Sequence, residues 1–278
     1  MDTPSAEAAS PMLTNLFILD IRIDIGIFNL ICLSPSEPPL HPNILQAVRE
    51  PVCFDLLPHR PTCMSIDALS QREELLNALT HGVGALASAI GGAVLITLAA
   101  VYGDTWQVVS ASVFVATLLL LYTASTLYHA FRHERIKAKL KIFDHCAIFL
   151  LIAGTYTPFT LIGLRESWGW TLFGVIWTLA VLGVVFKLFF TGRFPRLSTM
   201  MYIAMGWLVV IAAKPMMENL SMEALAWLLA GGLAYTLGTV FYHFERLPYS
   251  HAIWHLFVLA GSAAHFVAVS TQVLPQGI

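Results

Sequence analysis

Beyond Met64 the chain reads as a series of long apolar segments separated by short polar stretches. There are seven, at residues 78–101, 108–131, 142–163, 169–190, 199–213, 224–242 and 251–272. Each is near the ~20 residues that a helix needs to cross about 30 Å of hydrocarbon. Lipid offers no partner to an unpaired backbone group, and these runs are far longer than barrel strands, so helices are the assignment. The pattern predicts an all-α integral membrane bundle of seven transmembrane helices. The fifth segment is the shortest; it is expected to end at Lys214-Pro215, with an earlier start nearer Phe194 or a tilt making up its length.

Residues 1–63 have a different texture. They hold nine of the fourteen prolines. Their apolar run at residues 12–33 is interrupted by Asp20, Arg22 and Asp24, each costing roughly 2.5–3.5 kcal/mol near a bilayer centre, so it is not counted as a span. The first residues include Asp2 and Glu7 and no Lys or Arg, which does not fit a secretory signal. The reading is a poorly ordered Pro-rich extension, 1–63, ahead of a seven-transmembrane domain, 64–278, with Met64 a candidate start.

Composition agrees with the membrane assignment. Apolar residues make up 57% and charged residues 12%, against about 45–50% and 25% in soluble domains. Fifteen Lys and Arg against seventeen Asp and Glu leave no basic face of the kind nucleic acid requires, so membrane lipids are the expected partners. Cys32, Cys53, Cys63 and Cys146 form no CxxC pair and suggest neither a disulfide framework nor a cysteine zinc site; Cys146 is expected in the core. Basic residues gather in the segments after spans two (Arg132, Arg135, Lys137, Lys139, Lys141), four (Arg193, Arg196) and six (Arg246), whereas the other set has Arg165 and Lys214. That bias predicts a cytoplasmic N-terminus and an outside C-terminus in a multi-pass protein of the cell membrane.

Intramembrane ionisable residues mark function by default. With this topology His129, Asp144, His145, His251 and His255 all arrive at one depth, near the cytoplasmic face. The sharpest element is His251-Ala-Ile-Trp-His255, because residues four apart on a helix share a face and present two imidazoles to one ion. His129 from another helix completes a three-histidine set that leaves a tetrahedral position open, as in catalytic zinc sites. Ser125, one turn before His129, and Asp144 are expected to orient water or a ligand imidazole. Asp144 has an alternative as a helix N-cap. His133 is read as a solvated loop residue and His265, about 15 Å further along its helix, as a packed bundle histidine. His81, with Glu74 and Asn77 at helical spacing before it, is either an extra site-lining group or a membrane-surface residue. Trp168, Trp170 and Trp254 fit an interfacial belt, and Gly82, Gly84, Gly91 and Gly92 fit close helix packing.

Ser125-Thr-Leu-Tyr-His129, Phe143-Asp144-His145 and His251-Ala-Ile-Trp-His255 with Ala264-His265-Phe266 resemble the hemolysin III family, within the progestin and adipoQ receptor superfamily. Glu74, Asn77, His81 and Gly154-Thr-Tyr-Thr-Pro158 add to the likeness, which covers residues 72–274. The resemblance implies seven helices and a cytoplasmic-side Zn2+ held by His129, His251 and His255, with Asp144 and Ser125 nearby. It implies cytolysis by the family name. Similar serine, aspartate and histidine motifs in alkaline ceramidases suggest lipid amide hydrolysis. Three functions are thus expected to compete: a zinc-dependent lipid hydrolase or lipid-homeostasis protein, a pore-forming cytolysin, and a non-catalytic receptor or sensor with structural zinc.

Overall fold

The computed structural model describes residues 52–54, 62–64, 66–244 and 246–274. The expectations for residues 1–63 lie almost wholly outside the described residues. What is described there is a two-stranded antiparallel ladder, β1 (Val52–Phe54) with β2 (Thr62–Met64), in which Val52 stands opposite Met64.

The second unit is all-α, with seven helices long and apolar enough to cross a membrane. They are α1 (Leu69–Tyr102), α2 (Thr105–Ala130), α3 (Glu134–Gly163), α4 (Gly169–Phe190), α5 (Pro195–Asn219), α6 (Met222–His243) and α7 (Ser250–Val273). Helix α3 is the centre of the bundle. Its most apolar stretch is 72% buried, against 17% for α6. Phe114, Leu118, Phe149 and Ile176 fill the space between α2, α3 and α4. Outward-facing side chains are as apolar as the core: Leu86, Phe189 and Met222 are 63%, 73% and 76% exposed. A surface of that kind is stable only in lipid.

Because lipid tails are as apolar as leucine, the helices pack by close contact rather than by expelling water. The α6–α7 seam shows the device. A Cβ on Gly231 would stand 2.1 Å from the His265 ring, and one on Gly238 would stand 2.7 Å from Phe257 and Trp254. Trp254 is therefore a seam residue rather than part of an interfacial belt, whereas Trp168 and Trp170 are about half exposed and suit that belt.

Several boundaries differ from the sequence expectation. Helix α3 starts at Glu134, not near residue 142, so Arg135, Lys137, Lys139 and Lys141 ride on its first turns, and the connection from α2 is only residues 131–133. Helix α5 runs to Asn219, past Pro215, where the sequence suggested a stop. It tightens to a 3₁₀ turn at Trp207–Ala212 and resumes at Ala213, which puts Pro215 in the first turn of the new segment, where its missing N–H has no helical partner to lose. Helix α1 starts before residue 78, so Glu74, Asn77 and His81 lie on one helical face. Asp104 closes the start of α2 with a capping box, its carboxylate accepting from the backbone N–H of Trp106 and Gln107.

Candidate metal centre

Three imidazoles meet at one end of the bundle. His251 and His255 stand one turn apart on the same face of α7, with ring centroids 4.7 Å apart. His129, in the last turn of α2, places its ring 5.1 Å from each. One ring nitrogen from each of the three lies within 4.8 Å of the others, a grouping that could hold a metal ion. His129 and His255 are buried and His251 is partly so.

The outer edges of two of these rings are held by α1. His129 Nδ1 lies 2.9 Å from Glu74 Oε2, and Lys137 donates to the same oxygen at 2.7 Å. Lys137 also donates to the Tyr128 carbonyl at 3.2 Å and covers the Tyr128 ring. His255 Nδ1 lies 3.2 Å from the Asn77 carbonyl and 3.2 Å from Thr80 Oγ1. A proton on Nδ1 in each ring satisfies these acceptors and leaves Nε2 unprotonated, the tautomer in which that nitrogen can ligate a metal. His129 Nε2 is in fact buried with no hydrogen-bond partner among the described residues. An orphaned buried nitrogen costs about 1–3 kcal/mol, so its orientation calls for a ligand. The Glu73 carboxyl lies against the backbone N–H of His251, at the N-terminal turn of α7 where negative charge is favourable.

Ser125 is buried one turn before His129, and the Asp144 carboxyl lies against its hydroxyl. Since α3 starts ten residues earlier, Asp144 is not a helix cap. It is a mid-helix acid, paired with Ser125 and within electrostatic reach of His129. His145 is outside the three-histidine group; its backbone carbonyl accepts from Tyr202 at 3.0 Å, and its ring Nδ1 is buried with no hydrogen-bond partner among the described residues. His133 is exposed just ahead of α3. His265 Nε2 is 3.2 Å from the Leu228 carbonyl, remote from the ion-competent group. The two readings of His81 resolve in favour of the site: its ring is 3% exposed and stacks on His255 at 3.5 Å between centroids, with Tyr122 edge-on at 5.0 Å.

Sequence reasoning passed over Lys137, Thr80 and Lys187. Thr80, three residues after Asn77, was findable from helical spacing. Lys137 was counted only as a topology charge, and nothing in its spacing links it to Glu74. Lys187 is buried in α4 and donates to Ser198 at 2.6 Å.

Fold and site together define a multi-pass membrane protein with seven apolar helices and a buried three-histidine group competent for metal. The chain belongs to the haemolysin-III related family, whose model matches residues 69–266. It is 50% identical over 204 residues to hemolysin-3 of Bacillus cereus, spanning 73% of this chain and 93% of that protein. A hemolysin-3 homolog of Bacillus subtilis is 50% identical over 198 residues, 71% of this chain and 93% of the relative. More distantly, the monocyte to macrophage differentiation factor of Homo sapiens is 28% identical over 225 residues, 76% of this chain and 85% of the relative. That likeness fits the progestin and adipoQ receptor superfamily. No solved structure matches.

Proposed function

We propose that His129, His251 and His255 bind zinc at the cytoplasmic end of the bundle, in the cell membrane, and that the protein uses the site to hydrolyse a membrane lipid. The observation that carries this reading is the convergence of three ring nitrogens within 4.8 Å, two of the rings braced from behind through Nδ1. Imidazole suits zinc, and a set of three leaves a coordination position for substrate. Bound there, zinc supplies Lewis acidity towards an acyl oxygen.

The chain's own groups supply the rest. Asp144 accepts a proton from the attacking water as its oxygen joins the acyl carbon, and returns that proton to the leaving nitrogen or oxygen as the acyl bond breaks. Ser125 orients Asp144 by its hydroxyl. The basic residues Arg132, Arg135, Lys137, Lys139 and Lys141 flank the histidine end, which supports a cytoplasmic placement. A lipid's first carbonyl lies at that depth.

The test is elemental analysis and product release on the detergent-purified chain. Near one zinc per chain, with free fatty acid released from a lipid panel and both lost in His255→Ala, is the expected result. Zinc retained without product from any lipid would leave a receptor or sensor with structural metal. A second reading, membrane lysis, is favoured by the name of the hemolysin-3 relatives. It predicts dye leakage from liposomes bearing the protein, and intact vesicles at high protein density would remove it.

A further inference from the structure

A separate polar cluster lies between α3, α4 and α5 and shares no residue with the three-histidine group. Its centre is Lys187, in the last turn of α4. A lysine near the end of a membrane helix ordinarily runs its stem along the apolar surface and lifts its ammonium to the interface. Lys187 does the opposite. It is 3% exposed and turns inward to α5, where its ammonium donates to Ser198 Oγ at 2.6 Å and stands 5.7 Å from the centre of the Tyr202 ring. Ser198 gives its own proton to the Phe194 carbonyl, so it brings no charge. The carbonyl end of α4 favours a cation without neutralising it, and Lys187 makes no ion pair among the described residues.

Two further groups come from α3. Lys141 and His145 stand one turn apart, and the charges that bear most on the His145 ring are Lys187 and then Lys141, ahead of His251 and His129. Its Nδ1 is buried without a hydrogen-bond partner among the described residues, while Tyr202 ties the backbone there by donating to the His145 carbonyl. Asp144 is an acid within electrostatic reach of both lysines, but its carboxyl is engaged by Ser125 and pairs with neither.

An ammonium has three N–H donors, and Lys187 uses one of them on Ser198. His145 protonated at Nδ1 adds a donor, and Lys141 adds a second positive charge. A metal ion is repelled by this set. A water would fill a hydrogen bond and leave the buried charge uncompensated, which is the costly part. An anion with several acceptor oxygens completes it, and basic sites between membrane helices take phosphate headgroups. The surroundings say what carries the phosphate: Phe189, Phe194, Leu197 and Met200, around the connection from α4 to α5, are all exposed and apolar, a bed for acyl chains.

We propose that Lys187, Lys141 and His145 bind the phosphate of an anionic phospholipid, held between α3, α4 and α5 as a resident lipid of the bundle and not as a substrate. The site does not depend on the zinc reading.

The experiment uses the full chain, delipidated in detergent, with three probes: phosphatidylglycerol, phosphatidylcholine of the same acyl chains, and inorganic phosphate. Retained lipid is counted by native mass spectrometry, and stabilisation is read from thermal melting. Wild type is expected to retain phosphatidylglycerol about 10-fold better than phosphatidylcholine and to melt higher in its presence. Lys187→Met keeps the unbranched stem and should bring the two lipids within about 3-fold of one another and abolish the lipid-dependent rise in melting temperature. Lys139→Met removes the same charge from an exposed position on α3 and should leave the preference as it is. Should Lys187→Met fail to fold, Lys141→Gln carries the test, with a loss of preference of about 3-fold or more. Equal retention of the two lipids by wild type, or an unchanged preference in Lys187→Met, would overturn the site. So would an equal loss in Lys139→Met, since general surface charge would then explain the binding. Stabilisation by inorganic phosphate with no preference for phosphatidylglycerol would overturn the lipid as the carrier.

Discussion

Two histidines on α7, His255 and His265, stand ten residues apart, about 15 Å along the axis, and have opposite surroundings. His265 is settled locally. Its Nε2 meets the Leu228 carbonyl, its ring lies near Tyr235, and Gly231 opens the space it fills. His255 is braced by the Asn77 carbonyl and Thr80, is stacked on by His81, and shares its free face with His129 and His251. The lesson is that burial of a histidine in a membrane helix does not identify a ligand. What distinguishes one is a ring whose rear nitrogen is occupied and whose front nitrogen meets others like it.

The largest effect expected from breaking that contrast is on metal content. His255→Ala should drop bound zinc from near one per chain to almost none, whereas His265→Ala should leave it unchanged; elemental analysis reads both. Glu74→Gln keeps the size of the brace but weakens its hold on His129 Nδ1, so zinc affinity in chelator competition should fall about 10–100-fold. Gly231→Ala attacks the other environment. Its Cβ would overlap the His265 ring, so thermal melting in detergent should show a loss of about 1–3 kcal/mol with zinc content intact. The smallest change is Lys137→Met, whose pairing with Glu74 is partly exposed; a loss of about 0.5–1 kcal/mol, or a few-fold in zinc affinity, is expected.

Apolar length made the seven spans legible, and helical spacing made the His251 and His255 pair legible, since both are local properties of the chain. His129 joined them through topology alone: alternate crossings return to the same end. Helix ends were harder to read, because polar residues such as Glu134 to Lys141 can extend a helix beyond the hydrocarbon without any apolar signal. Pro215 misled for a related reason, since a 3₁₀ turn before it restarts the helix with the proline in an allowed place. The Glu74–Lys137 brace and the stacking of His81 on His255 depend on how α1 is rotated against α2, α3 and α7. Single-chain periodicity does not contain that rotation.

X-ray absorption at the zinc edge on the purified full chain, alongside His129→Ala, addresses the metal centre most directly. About three imidazole nitrogens at ~2.0–2.1 Å with one further light atom is the predicted shell, and the imidazole count should fall in the variant. A sulfur shell, fewer than two imidazoles in the wild type, or a spectrum indifferent to His129 would contradict a zinc site built from these three helix ends.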